Sequence, residues 1–513
     1  SGQKYAAIAR CPYFTGTLIG YDDSAARKVP GVTAIVKIPG LQREGESRRL
    51  NNPGVAVVAE SLWAAKTGRD ALIVRWDAGP NADENDALIA ARSATAIADS
   101  AQERNVLHEA GDVDSALADA PRRHRATYSV PHFAHLNMEP LNCTASVTAD
   151  RCILALSHQS VSHAAMFAAD HLGIPVEQVE VRVGRIGCGL GRKWNSDFIF
   201  EALHLSQEVG APVKVFWSRE DDVEQDFLNP QARFEFDAGL SRDGRILAWH
   251  AVHSAQGGTR MRGFPAQLIA DQRIENVRSE GNVRLGAWRG PGNNVSGFAV
   301  EGFLNELAHE ADRDPLELRL ELLGEDRELP FDEWMPMPLD TGISTRKMKS
   351  VLRLAASQAS WGDPLPAGWG RGIASHFTFG SYVACVVDVT VDGAGEFTVE
   401  RVFTGVDCGR VVNRLGAEAQ IESGIHDGLS TVVHQHARIE GGRITTNNFH
   451  HIRLLRMDKA PRQIRVEFVD SNEHPWGTGE IALPAFIPAL IAALHNATGK
   501  RIRRLPIADQ LRA

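Results

Sequence analysis

Cysteine is scarce in this chain and scattered. No two of Cys11, Cys143, Cys152, Cys188, Cys385 and Cys408 are separated by only two or three residues, so the ligand spacings of zinc and iron–sulfur sites are absent. Long apolar runs are absent too. No stretch reaches the roughly 20 residues of a membrane helix, and Ser1-Gly2-Gln3-Lys4 opens without the pattern of a signal or transit peptide. The chain is therefore expected to carry no transmembrane segment. Positive charge forms no stripe: a net charge of −9 with dispersed Lys and Arg argues against nucleic acid as partner. Nineteen histidines include His434-x-His436, which on a strand would share one face, but no third zinc ligand accompanies them. The 513 residues, 43% hydrophobic and 23% charged, suffice for several cores, so about three or four domains are expected.

Apolar–polar alternation predicts strands from Tyr5 and at Val32–Ile38, separated by a helical stretch from Asp22 to Lys28. Gly54–Ala59 reads as a buried strand, Ser61–Leu72 as a helix and Ile73–Trp76 as a strand, closing an α/β unit over 1–80. The polar stretch 81–123 reads as a surface linker with some helix in its middle. Mixed strands and helices follow over 124–325, and 326–368, dense in Pro, Asp, Met and Trp, reads as a connector. A last domain covers 369–513, with a helix at 415–433, a strand near 464–469 and a helix at 485–497.

The most informative segment is Trp476-Gly477-Thr478-Gly479-Glu480. It places a carboxylate behind a glycine-flanked turn and ahead of the apolar run Ile481–Leu490. Glycines permit close approach to a bulky ligand, and the apolar run would raise the carboxyl pKa towards neutrality, as a general base requires. Upstream, Val179–Val183 leads into Gly187-Cys188-Gly189-Leu190-Gly191 and then a helix at Phe198–Leu205, the order of a strand, glycine turn and helix that cradles an anion. Gly187-x-Gly189-x-Gly191 departs from the G-x-G-x-x-G of dinucleotide folds, and no regular βαβ series follows.

Taken with Gly286-Ala287-Trp288-Arg289-Gly290-Pro291-Gly292, Val406–Asn413, Gln420 and Asn447-Asn448-Phe449, these motifs resemble, over nearly the whole chain, the molybdenum-binding large subunit of the xanthine oxidase family. The nearest likeness is the branch of isoquinoline 1-oxidoreductase β-subunits and bacterial aldehyde dehydrogenases. The resemblance implies a multidomain α+β fold, with an α/β hammerhead domain at 1–80 followed by two parts of a molybdopterin-binding domain at 124–325 and 369–513. It implies a molybdopterin cofactor, in its cytosine dinucleotide form, and a small-molecule substrate that gains water-derived oxygen at an electrophilic carbon. Electrons would leave through [2Fe–2S] centres on a partner subunit, with a cytochrome c or flavin as acceptor, and the family location leans periplasmic.

Carried over by motif, Glu480 would be the base and Arg289 would steady a developing oxyanion. Gly187, Cys188, Gly189, Leu190, Gly191, Arg192, Trp288, Gln420 and Gly479 would bind the cofactor, the molybdenum itself being held by the pterin dithiolene. The sequence departs from the family at Leu190, where an aromatic ring is usual, which implies a differently shaped cleft. Trp194 stands where purine oxidisers have a second glutamate, and no purine-orienting arginine occurs near Leu228-Asn229-Pro230, so an N-heteroaromatic or aldehyde substrate is expected. The family's glutamine-glycine module is not found. The chain thus looks like the C-terminal portion of a subunit completed by a separate N-terminal chain on the order of 200 residues. The alternatives are a cofactor-free scaffold of the same fold and an unrelated nucleotide-binding dehydrogenase.

Overall fold

A computed structural model describes residues 2–42, 48–256, 267–329 and 342–512, and within them three larger sheets and two long buried helices organise the chain. The first sheet has seven strands in the order Val179–Val183, Cys152–Leu156, Asn142–Val147, Val213–Phe216, Lys4–Arg10, Gly54–Ala59 and Val32–Ile38. Gly54–Ala59 is buried at every position. Its continuous apolar run is covered on one face by Ala64 and Ala65 of the helix Leu62–Asp70 and on the other by Phe198 and its neighbours, as a central strand requires. Ser61 caps that helix by accepting from the Ala64 N–H.

The expected self-contained unit at 1–80 is corrected here. Lys4–Arg10 pairs in parallel with Val213–Phe216, so the N-terminal strands and those after residue 140 share one sheet and one core. The helix expected at Asp22–Lys28 is only a three-residue 3₁₀ turn, Ala26–Lys28. The Asp22 carboxylate takes the Ser24 N–H at 2.9 Å, and Val29 precedes a proline; both divert the backbone from an α-helix.

The second sheet runs Arg104–Ala110, Asp271–Ser279, Ile246–Gln256, Ala232–Leu240, Arg122–Val130. The stretch read as a linker at 81–123 therefore supplies an edge strand, flanked by the helices Asp86–Ala98 and Val113–Asp119. That edge strand is polar and largely uncovered, which hides it from a pattern search. The third sheet has four strands, Trp369–Thr378, Ser381–Val391, Phe397–Asp407 and Ile464–Phe468. Of the connector expected at 326–368, residues 330–341 lie outside the described residues, as does Ser1. Thr345–Gln358 is a helix whose Val351, Leu352 and Ala355 join the main core.

The helix Ala482–Thr498 lies across the third sheet at glycine-enforced distance: a Cβ added at Gly370 or Gly372 would sit 2.1 Å from Ala493 O or 2.2 Å from Ala489 O. Asn293–Glu310 is buried on all sides from Asn293 to Ala308 and shares one core with the second and third sheets, as an all-round covered helix must. The two helices meet near their N-termini, where a Cβ on Gly297 would lie 2.6 Å from Pro484 O. That crossing brings together the loops leading into them, residues 286–292 and 476–481. The whole is the expected multidomain α+β architecture.

Candidate active site

Glu480 lies two residues before the helix Ala482–Thr498, where the helix dipole favours an anion. Its Oε1 accepts the Gly290 N–H at 3.0 Å; Oε2 accepts no hydrogen bond among the described residues. Burial raises its pKa above the ordinary glutamate value, outweighing the opposing pull of the Gly290 N–H and of the Arg289 charge. The sequence expectation of a desolvated carboxyl at this turn matches that electrostatic setting.

Arg289 ties the surrounding segments together. Its Nε donates to Gly479 O at 2.6 Å, Nη1 to Ser423 Oγ at 2.7 Å and Asp427 Oδ2 at 2.8 Å, and Nη2 to Gln420 O at 3.0 Å and Gln420 Oε1 at 3.4 Å. Its backbone N–H reaches Leu190 O at 2.9 Å. All five guanidinium N–H groups are thus occupied, and none is left for an oxyanion. Where an oxyanion contact was expected, Arg289 is engaged by protein groups, joining the helix Arg414–His434, the 477–480 turn and the 187–191 turn.

The 187–191 turn bends through left-handed backbone at Cys188, Leu190 and Gly191, with φ of 76°, 51° and 109°. Glycine is obligatory at 191, where an added Cβ would fall 1.6 Å from Ala287 O. The turn is pinned from outside itself: Gly187 N–H donates to Glu139 Oε2 at 3.0 Å and Gly191 N–H to Gln159 Oε1 at 2.9 Å. Lys193 pairs with Glu139. Among the described residues the N–H groups of Cys188, Gly189 and Leu190 have no acceptor, which leaves three successive donors for an anionic ligand. Burial pushes the Cys188 thiol up, against a reactive thiolate there.

Two expected cofactor contacts point elsewhere. Arg192 is fully buried and spends its guanidinium on Asp197, at 3.0 and 2.6 Å, with Asp226 3.2 Å from Nε. The expected helix-end anion cradle is corrected by the same pair: the helix Asp197–Val209 starts beyond a 3₁₀ turn, and its first residue is the acid that holds Arg192. The Trp288 side chain is buried against Phe133, ring centroids 5.7 Å apart. Gln420 and Gly479 do reach the site, since a Cβ on Gly479 would come within 3.5 Å of Gln420 Oε1. Sequence reading missed Glu139, Gln159, Ser423 and Asp427. Only the proximity of Ser423 and Asp427 to Gln420 on one helix, at i+3 and i+7, offered a signal. Of the histidines, His434 ends a helix rather than lying on a strand, and His436 pairs with Asp86 at 3.0 Å.

Two large motifs described as molybdopterin cofactor-binding domain match this chain, over residues 97–323 and 308–461. The chain belongs to the molybdenum-binding large subunits of the xanthine oxidase family. It is 26% identical to the isoquinoline 1-oxidoreductase subunit beta of Brevundimonas diminuta, over 99% of this chain and 65% of that protein. It is 29% identical to a membrane-bound aldehyde dehydrogenase (pyrroloquinoline-quinone) of Gluconacetobacter polyoxogenes, over 96% of this chain and 66% of the relative. The chain therefore spans just under two thirds of either relative. In fold it is similar to quinoline 2-oxidoreductase from Pseudomonas putida 86, with a TM-score of 0.78 at 15% identity, covering 99% of this chain and 93% of that one.

Proposed function

We propose that this chain is the molybdenum-binding catalytic part of an oxidoreductase that inserts water-derived oxygen into an N-heteroaromatic or aldehyde substrate, with Glu480 as the general base. The observation that carries this reading is a carboxylate of raised pKa held through one oxygen by the Gly290 N–H, with its other oxygen, and three N–H groups of the adjoining turn, free of partners among the described residues. Those donors suit the phosphate oxygens of a pterin dinucleotide, and a Cβ added at Gly477 would meet nothing within 4 Å, so the Glu480 turn borders open space. When bound, the cofactor would supply the oxygen to be transferred and accept the substrate's two electrons.

The chain's own residues would then act as follows. Gly290 fixes Oε1, so that Oε2 is presented to the attacking oxygen and takes its proton. Arg289 holds Gly479 and hence the carboxylate's approach. Leu190 and the 53% exposed Trp194 offer apolar contact in place of charged purine-recognising groups, which favours flat heterocycles and aldehydes. The proposal includes the cytosine dinucleotide form of the cofactor. It also includes a [2Fe–2S] partner chain passing electrons to a cytochrome c or flavin, since the six scattered thiols are all free and mostly buried.

The test is molybdenum and pterin analysis of the purified complex, with turnover measured for Glu480→Gln. The amide is nearly isosteric but accepts no proton, so molybdenum should be retained while turnover falls by roughly 10²–10⁴-fold. Wild-type turnover in a molybdenum-replete variant would remove Glu480 from the mechanism. A complex devoid of molybdenum and pterin would favour the cofactor-free scaffold.

A further inference from the structure

Behind the site lies a group of buried ionisable residues that the proposed chemistry does not use. His135 and Asp226 have side chains only 1% exposed. His135 Nδ1 lies 2.9 and 3.1 Å from the two Asp226 oxygens, and its Nε2 lies 2.8 Å from Ala287 O. The Asp226 carboxylate also accepts the His135 N–H at 2.7 Å and the Phe227 N–H at 2.8 Å, with the Arg192 guanidinium in ion-pair contact at 3.2 Å. Against the opposing effect of burial, His135 and Arg192 hold the Asp226 carboxyl below its ordinary pKa, so the carboxyl is ionised and the hydrogen in the Nδ1 contact belongs to the ring. A backbone carbonyl can only accept, so the hydrogen in the Nε2 contact belongs to the ring as well. Both ring nitrogens of His135 thus face acceptors in the core, a carboxylate at Nδ1 and a carbonyl at Nε2. His135 acts electrostatically on both Asp222 and Asp226, and Arg192, Arg284 and Asp197 are the further charged groups gathered around Asp226 and its ion pair with Arg192.

The carbonyl that His135 grips occupies a pivotal position. Ala287 O is the atom that a Cβ on Gly191 would strike at 1.6 Å, so it is wedged between the His135 ring and the 187–191 turn. One residue on, Trp288 turns into the core; two on, Arg289 clamps Gly479 and Gln420; three on, Gly290 donates to Glu480. We propose that His135, held as an imidazolium by Asp226, is the positioning residue that fixes the 287–290 loop and, through the Gly290 N–H, the orientation and proton affinity of Glu480. This rests on the reading of Glu480 as the base.

The sign of the effect follows from the hydrogen bond. A donor to a carboxylate favours its charged form, so loosening Gly290 raises the Glu480 pKa further and moves the acid limb of the pH profile to higher pH. In the intact molybdenum-loaded complex, His135→Gln should lower kcat by roughly 10–100-fold through misplacement of the base, and shift the acid limb of kcat/KM upward by about half a pH unit or more, with molybdenum content unchanged. Asp226→Asn should reproduce the shift. Neutron diffraction of the wild-type protein at pH 7.5 should show hydrogen on both Nδ1 and Nε2 of His135, a readout that needs neither turnover nor a folded variant.

A neutral His135 in the neutron map overturns the proposal. So does a molybdenum-replete His135→Gln complex with wild-type kcat and an unmoved acid limb while Glu480→Gln is inactive. Full activity in Glu480→Gln would instead sink the base assignment, and the neutron result would still decide the protonation of His135.

Discussion

Replacing Arg289 by lysine distinguishes a residue that holds the site together from one that acts on the substrate. The guanidinium serves Gly479, Ser423, Asp427 and Gln420 with five N–H groups. A lysine ammonium, with a compact head and three donors, can serve about two of those residues at once, so about three hydrogen bonds are lost. At about 1 kcal/mol net for each ordinary bond, and with little added for the ion pair because Asp427 is 33% exposed, the expected loss is ~2–3 kcal/mol of local stability. The charge is kept, so the acid limb set by Glu480 should hardly move. Turnover should fall by roughly 10²-fold, because the Gly479–Glu480 turn loses its anchor. Arg289→Ala removes the charge as well. Since that charge lowers the Glu480 pKa, its loss should carry the acid limb to higher pH. The assays are thermal unfolding, molybdenum content and kcat/KM across pH for both variants. A hundredfold loss of kcat in Arg289→Lys with an unchanged unfolding midpoint would refute the positioning role and restore Arg289 to the reacting atoms.

Glu306 gives a prediction about acid stability: although burial opposes its ionisation, Arg503, His124 and Tyr128 hold its pKa at about 2. A depressed carboxyl stabilises the fold above its unfolded pKa of 4.5 and loses that contribution as pH falls towards about 2. Glu306→Gln should therefore cost roughly 3 kcal/mol at pH 7, and the difference from wild type should vanish in strong acid; a constant difference down to the acid limit would contradict this. Asp222 behaves in the opposite sense, since burial and the neighbouring Asp226 raise it from 3.8 to about 7. Wild-type stability should decline as pH rises through that window, and Asp222→Asn should flatten the decline; unaltered pH dependence in the variant would show Asp222 to be ionised throughout. Leu190→Phe should narrow the cleft and penalise bicyclic substrates more than small aldehydes, with equal losses of kcat/KM for both excluding residue 190 from its lining.

What the sequence disclosed and what it hid divide along a physical line. Local periodicity and turn chemistry placed Gly54–Ala59, Asp197–Val209 and Arg414–His434 closely, because each buries a face that its own residues define. The glycine turn at 187–191 and Glu480 were equally legible, since glycine spacing reports backbone constraints directly. Sheet membership was not. The parallel pairing of Lys4–Arg10 with Val213–Phe216 and the antiparallel pairing of an edge strand at Arg104–Ala110 with Asp271–Ser279 each join segments more than 150 residues apart, and nothing in either segment names its partner.

Charged residues were the least legible of all, because the same residue type serves a site or a core according to what faces it. Arg192 beside a glycine turn reads as a phosphate ligand, and Arg289 beside the metal motif reads as an oxyanion donor. In the fold Arg192 is enclosed by Asp197 and Asp226, and Arg289 by a carboxylate, a hydroxyl and three carbonyl-type oxygens. Burying such pairs gives little net stability over apolar packing of the same volume, but removing one partner is costly because the other stays stranded. That asymmetry explains their arrangement here. Arg10–Glu201, Arg192–Asp197 and His135–Asp226 are each almost wholly desolvated; the first joins the strand Lys4–Arg10 to the helix Asp197–Val209 that follows the 187–191 turn, and the other two sit beside that turn and the 286–290 loop. An apolar core would tolerate sliding of those turns by a fraction of an ångström, whereas a directional charged contact does not. The ionic layer touches this chain of contacts at Ala287, which packs on Gly191 and leads within three residues to Gly290 and so to Glu480, the points on which the geometry of the proposed base depends.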